Sequence, residues 1–277
     1  MPVPLFDPVS PLAPLRPRLE EVVLDVLDDG RFILGPNVAA FEEEFASFIG
    51  VRHAIGVANG TEAITVALRA LGVGPGDEVI VPSFTFYASA EAIPPTGATP
   101  VFCDVDPETF LVTPETVRAA LTPRTKAIVA VHLAGWPCAM DEIMALAAER
   151  NLIVIEDCAQ AHGATWRGKP VGAFGHAAAF SFCQDKIITT GGEGGMLVLD
   201  DEEAWKRAWA YKDIGRSYDA VYHRKHAPGF RWLTESFGTN WRMTEMQAAI
   251  GRLQLAKLPR WNEQRRANAM LLARGFS

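Results

Sequence analysis

No stretch of this chain is long and apolar enough to span a bilayer as a helix, so no membrane partner is expected. Its four cysteines, Cys103, Cys138, Cys158 and Cys183, are scattered without a CxxC pair or a Cys/His ladder. That spacing suggests neither a zinc site nor a disulfide framework, and it leaves reduced core thiols as the expectation. Positive charge is also scarce: 26 Lys and Arg stand against 33 Asp and Glu, for a formal net charge of -7. Binding a polyanion by counterion release needs clustered cations, so nucleic acid is not an expected partner. The opening residues are broken by prolines and lack both a basic start before an apolar run and a small-residue cleavage pattern, which makes the cytoplasm the expected location. Internal repeats, low-complexity tracts and flexible linkers are absent as well.

What is present is a chain of 277 residues, 49% of them hydrophobic, enough to bury a sizeable core. Arg18 to Asp28 reads as a helix, and Gly35-Pro36 starts a second in which Val38, Phe41, Phe45 and Phe48 recur at helical spacing while Glu42, Glu43 and Glu44 face water. Short β-rich runs then alternate with helical segments. The runs are His53–Ala58, Glu78–Pro82, Thr99–Cys103, Lys126–His132 and Leu152–Glu156, and the helices are Thr61–Leu71, Phe84–Ile93, Pro114–Leu121 and Met140–Arg150. Such alternation predicts an α/β fold, a mainly parallel sheet covered by helices on both faces. Further on, a hairpin is expected around Trp166-Arg167-Gly168-Lys169 and strands at His176–Phe182 and Met196–Leu199. Tyr211 to Ser236 lacks periodicity and reads as a long surface loop, before helix returns at Thr244–Leu255 and continues beyond Pro259.

Three segments carry chemistry. Lys186 lies between the apolar run ending Phe180-Ser181-Phe182 and the glycine-dense Gly191-Gly192-Glu193-Gly194-Gly195, where a bulky planar group can approach the backbone closely. That placement suits a Schiff-base lysine, although a lone lysine beside glycines is usually a solvated loop residue. Asp157 ends the apolar run Ile153-Val154-Ile155, at the carboxyl end of a strand where open α/β sheets bind ligands. It suits the anion opposite the ring nitrogen of pyridoxal phosphate, or a simple cap of the following turn. In Asn59-Gly60-Thr61-Glu62 a strand passes through a glycine into a helix whose free amides suit phosphate, unless Asn59 or Thr61 only caps that helix. Together and in this order, the three reproduce the parts of an aminotransferase-type pyridoxal-phosphate site.

The chain resembles the DegT/DnrJ/EryC1/StrS family of sugar aminotransferases, within the fold type I pyridoxal-phosphate enzymes. The resemblance runs from Gly35-Pro36 and Phe41-Glu42 through Asn59-Gly60-Thr61-Glu62-Ala63, Pro75-Gly76-Asp77-Glu78-Val79-Ile80-Val81-Pro82 and Val131-His132-Leu133-Ala134-Gly135. It continues through Glu156-Asp157, Ser181-Phe182, Lys186 and Glu193-Gly194-Gly195 to Asn240-Trp241-Arg242-Met243. It implies that Lys186 holds pyridoxal 5′-phosphate as a Schiff base, that Asp157 pairs with the ring nitrogen, and that Gln160 lies near the ring face or its phenolic oxygen. It further implies phosphate contacts from Gly60, Thr61, Glu62 and Ser181, stacking of Phe86 on the pyridine ring, and a reach of Asn240 to the phosphate of a neighbouring subunit. Phe86 as ordinary core and Asn240 as a helix cap are the plainer readings of those two residues.

The implied reaction moves an amino group from an amino-acid donor, L-glutamate, to a nucleotide-linked keto sugar, as in polysaccharide or lipopolysaccharide biosynthesis, in a homodimer with shared active sites. Against the family pattern, one extra residue separates the lysine from Glu-Gly-Gly, which bears on the loop and not on the lysine. Family members also continue past this chain's last residue, so a cofactor domain over 1–240 and an incomplete start of a small C-terminal domain over 241–277 are expected. A pyridoxal-phosphate sugar dehydratase is a competing enzyme reading, but such family members carry histidine where Lys186 stands. A catalytically silent paralogue that binds the cofactor or a sugar nucleotide is the competing non-enzyme reading. His223, Arg224, Lys225, His226 and Arg231 form either a diphosphate-binding loop or a solvated charged face.

Overall fold

A computed structural model describes residues 7–226 and 233–276. In chain order the helices are α1 (Arg16–Asp29), α2 (Pro36–Ile49), α3 (Gly60–Ala70), α4 (Ala88–Glu91), α5 (Pro114–Ala120), α6 (Met140–Arg150), α7 (Glu202–Lys212), α8 (Tyr218–Tyr222), α9 (Glu245–Leu255) and α10 (Leu258–Phe276). The strands are β1 (His53–Val57), β2 (Glu78–Pro82), β3 (Thr99–Cys103), β4 (Thr125–Val131), β5 (Ile153–Asp157), β6 (Thr165–Trp166), β7 (Lys169–Pro170), β8 (Ala177–Ser181) and β9 (Gly195–Leu199). Seven of them form one sheet in the order β1-β9-β8-β5-β4-β2-β3. Only β9 runs against its neighbours, pairing antiparallel with both β1 and β8, while β8, β5, β4, β2 and β3 are parallel. The expected α/β sheet is therefore the observed one, and β6–β7 is the expected hairpin.

Alternation along each strand splits the core between two faces. Val57, Val81, Val129, Ile155, Ala179 and Leu197 point to the face covered by α3 and α7. Their neighbours Ala54, Val198 and Phe180 meet the Phe41 and Phe45 side of α2, and Ile80, Ile128 and Val154 meet α5 and α6. A period of two with both sets apolar is what a doubly covered sheet requires. It also fixes the ends of the strands. Asp157 and Ser181 keep the parity of Ile155 and Ala179, so both emerge on the α3 face, and Glu156 emerges on the other.

Three local expectations are corrected. Within Phe84–Ile93 only Ala88–Glu91 forms a helical turn, and Phe84, Phe86 and Tyr87 stand exposed before it. Tyr211–Ser236 is not one surface loop: Lys212 ends α7 with 1% exposure, Asp213 is fully buried, and Tyr218–Tyr222 is a helix. Glu42 does not face water as Glu43 does. It turns inward, accepts the Gly56 amide at 2.7 Å, and its carboxyl is raised above the ordinary range by burial, against the opposing pull of Lys212. Lys212, buried at the end of α7, is correspondingly lowered by burial. A sequence pattern for one helix cannot reveal a cation delivered from another element 170 residues away.

Candidate active site

A cavity of about 450 Å³ opens at the carboxyl ends of β5 and β8, under the N-terminus of α3. Its wall includes Gly60, Thr61, Phe86, Asp157, Gln160, Ser181 and Lys186. Six segments far apart in sequence converge here, at the end of a parallel sheet where ligands gather. Glu62 and Asn240, also candidates from the sequence, do not line it.

The floor is Asp157, with 6% exposure. One carboxylate oxygen accepts Ser89 Oγ at 2.7 Å and the other accepts the Ala159 amide at 3.0 Å. Ser89 is in turn 2.8 Å from Thr85 Oγ1. A carboxylate can accept more than one bond per oxygen, so Asp157 is both fixed in orientation and still able to meet a cationic N–H.

The anion cradle is built by close approach. Asn59 Oδ1 caps α3 by accepting the Glu62 amide at 2.9 Å, and the Asn59 carbonyl accepts the Ala63 amide. The amides of Gly60 and Thr61 precede any carbonyl they could use within the helix, and the helix dipole adds positive potential there. A side chain at Gly60 would put its Cβ 2.8 Å from Ser181 Cβ, and one at Gly195 would collide with the Asn59 carbonyl. Both glycines are thus steric necessities that bring the helix start against the end of β8. Glu62 contributes only its capped amide. Its carboxyl is raised by burial, with Asn59 opposing and Glu193 adding to the rise.

Lys186 stands on the loop after β8, its Nζ donating to both oxygens of Asp185 at 3.1 and 2.9 Å. Burial works against a charge on Asp185, yet the Lys186 contact holds its carboxyl below the ordinary range. The loop folds back on itself, with the Gln184 amide donating to the Gly192 carbonyl at 2.9 Å. Gly191 and Gly192 have φ of 90° and 138°, a region that favours glycine. Gln160 Oε1 accepts the Ala134 amide at 2.6 Å, which leaves its amide nitrogen outside that contact. Phe86 is 68% exposed at the rim, which rules out its plainer reading as core.

Glu156 lies beneath the floor on the opposite parity, its Oε2 3.0 Å from Nε2 of His132, which also borders the cavity, with both side chains fully buried. Burial opposes a charge on His132, but Cys158, Cys138 and Glu156 around it outweigh that and hold the ring well above its ordinary value. Donor atoms of His132, Glu156 and Cys158 lie within 4.8 Å of one another, a convergence that cysteine spacing alone does not reveal. Glu156 already accepts the amides of Gly172, Phe174 and Gly175. Those donors and His132 occupy its oxygens, which describes a hydrogen-bonded support and not an open coordination sphere.

Asn240 is exposed outside the cavity and is not the helix cap, since Thr244 caps α9. Arg224 is paired with Glu235 and Asp219, and His226 meets the Ala220 carbonyl. Neither lines the cavity, and Arg231 falls outside the described residues.

The residues fit pyridoxal phosphate by the chemistry of their donor set: a strand-end acid, a helix-start amide pair with a serine, and an amine share one cavity. Ser89, Thr85, Asp185 and Glu193 also line it, and the sequence reading did not assign them. The serine's bond to Asp157 crosses 68 residues and leaves no local signal.

The profile of the DegT/DnrJ/EryC1/StrS aminotransferase family matches residues 15–277. A UDP-N-acetyl-3-dehydro-alpha-D-glucosamine 3-aminotransferase from Acidithiobacillus ferrooxidans is 45% identical over 96% of this chain and 69% of its own length. The aminotransferase from Psychrobacter cryohalolentis superposes with a TM-score of 0.89 at 55% identity, over 98% of this chain and 67% of that one. NtdA from Bacillus subtilis, solved with bound cofactor PMP, superposes with a TM-score of 0.78 at 33% identity, over 87% of this chain and 52% of that one.

Proposed function

The chain belongs to the DegT/DnrJ/EryC1/StrS aminotransferase family, and from that premise we propose that it transfers the amino group of L-glutamate to a nucleotide-linked keto sugar, using pyridoxal 5′-phosphate bound at the β5–β8 cavity. One observation carries the reading: Asp157, Lys186, Ser181 and the start of α3 line the same cavity. The Acidithiobacillus relative, named for a UDP-linked keto sugar, supports the acceptor class, and the PMP-bound relative supports the cofactor.

When bound, pyridoxal phosphate supplies an electron sink for the pair left on a substrate carbon that loses its proton. Asp157, locked by Ser89 and Ala159, would face the ring nitrogen with a carboxylate fixed in orientation. The amides of Gly60 and Thr61 and the hydroxyl of Ser181 would receive the phosphate, Phe86 would cover one ring face, and the amide nitrogen of Gln160 would be available to the phenolic oxygen. Lys186 has two tasks. Its amine would anchor the cofactor and, when free, would move the proton between the substrate carbon and C4′. Asp185 holds the free amine at the cavity edge. The exposed aromatics Phe84, Phe86 and Tyr87 before α4 suit a face covered by a second copy, in a cytoplasmic homodimer whose Asn240 residues serve one another's phosphates.

The test is Lys186→Ala beside the wild type, each mixed with pyridoxal phosphate, glutamate and UDP-, dTDP- or GDP-linked keto sugars. Wild type should show a lysine-dependent visible band that glutamate discharges, with amino sugar detected by mass spectrometry. The variant should show neither. Equal spectra and rates in the two proteins would refute the assignment.

A further inference from the structure

Asp213 is fully buried at the end of α7, and burying a carboxylate among cations is a weak source of stability. Its contacts suggest another purpose. Its Oδ1 accepts a hydrogen bond from Arg216 at 2.8 Å and forms an ion pair with Arg242 at 3.2 Å, and another arm of Arg242 donates to the Asn240 side-chain oxygen. A guanidinium has only donors to offer, so the amide of Asn240 must turn its oxygen toward Arg242 and its NH₂ away. Asn240 is exposed, which places that NH₂ outward. The backbone holds the arrangement still: Asn240 bridges Asp213, Arg242 bridges Val57, and the Trp241 amide donates to the Lys212 carbonyl at 3.0 Å.

We propose that Asp213 is a positioning residue which, through Arg242, fixes Asn240 with both amide N–H donors facing outward, ready for the anionic phosphate held by a second copy of the chain. The inference rests on the proposed cofactor site and on Asn240 crossing to a neighbouring subunit. It adds a chain of command, carboxylate to guanidinium to amide, in which the first member touches neither cofactor nor substrate.

The experiment titrates full-length apoprotein with pyridoxal phosphate and follows the Lys186-dependent visible band. Asp213→Asn should weaken cofactor affinity roughly tenfold, the scale for losing a hydrogen bond to a charged group. Asn240→Ala should weaken it similarly, and the double variant should lose no more than Asn240→Ala alone, as expected for residues acting through one contact. The decisive arm mixes Asp213→Asn with Lys186→Ala and lets subunits exchange. Mixed dimers pair an intact lysine with an intact Asn240 donor in one site, so half the lysine-bearing sites at most should regain wild-type affinity. A purely structural role within the Asp213→Asn subunit would not be rescued by its partner. Unchanged affinity, additive losses or absent rescue would each overturn the proposal. Should Asp213→Asn fail to fold by thermal melting, Arg242→Lys, which keeps the charge and loses the fork, takes its place in all arms under the same criteria. A wild type without a lysine-dependent band would instead defeat the cofactor reading, and this inference with it.

Discussion

Ser89 shows how much of the chemistry depends on a residue with no motif. Its hydroxyl is the only side chain among the described hydrogen bonds that reaches Asp157, and it keeps one carboxylate oxygen in place while the Ala159 amide keeps the other. Ser89→Ala removes a bond to a charged group, worth about 1.5–3 kcal/mol. Since Asp157 must favour a protonated ring nitrogen most when charge builds in the transition state, the loss should appear in kcat. Single-turnover mixing with glutamate should show the amino-transfer step slowed at least about tenfold, with the phosphate contacts and glutamate KM little changed. An unaltered rate would mean that Ala159 alone suffices. Lys186 and Asp157 were legible because each stands at a break between an apolar strand and a polar or glycine-rich turn. Ser89 was not, because it was read as part of a helix over Phe84–Ile93 that is only one turn long.

At the scale of elements, α2 is started by a residue from α9. Glu245, 1% exposed, accepts the amides of Gly35 at 2.9 Å, Asn37 at 2.7 Å and Val38 at 3.0 Å, satisfying donors that a helix start leaves open. A side chain at Gly35 would bring its Cβ 2.6 Å from Glu245 Cδ, so the Gly-Pro that announced the helix in sequence is also the space its distant cap occupies. Glu245→Ala should lower unfolding free energy by about 2–4 kcal/mol, read from urea midpoints, and Glu245→Gln should restore part of it by still accepting the amides. Equal stability of Glu245→Ala and wild type would show that water replaces the carboxylate without cost. Strands β2 and β3 were read to the residue because alternation and flanking turns are local. The inward turn of Glu42, the burial of Lys212 and Asp213 and the capping by Glu245 were not, because each is a contact between elements joined only in the folded chain.

For the molecule as a whole, two buried histidines set opposite limbs of its stability against pH. His162, 2% exposed between the rings of Phe180 and Phe182, is pushed by burial from 6.5 down to about 4. The unfolded chain therefore takes up a proton near pH 6.5 that the folded chain refuses until about pH 4. Stability from this group is complete above 6.5 and falls as pH drops through that window, by an amount on the order of 3 kcal/mol. His132 has the opposite sign. Its folded value is raised well above 6.5 by its polar surroundings, despite burial, so its contribution is complete below 6.5 and is lost as pH rises through the folded value. The two together predict a maximum near pH 6.5 in cofactor-free protein. His162→Phe, which keeps an aromatic ring between Phe180 and Phe182, should flatten the acid limb and leave the alkaline limb intact, and His132→Gln should do the reverse. Urea midpoints across the acid and alkaline ranges would measure both. An acid limb of unchanged slope in His162→Phe would assign it instead to the ion-paired carboxylates, such as Glu78 with Arg124 and Glu149 with Arg118, whose lowered values act at more acid pH and with the same sign.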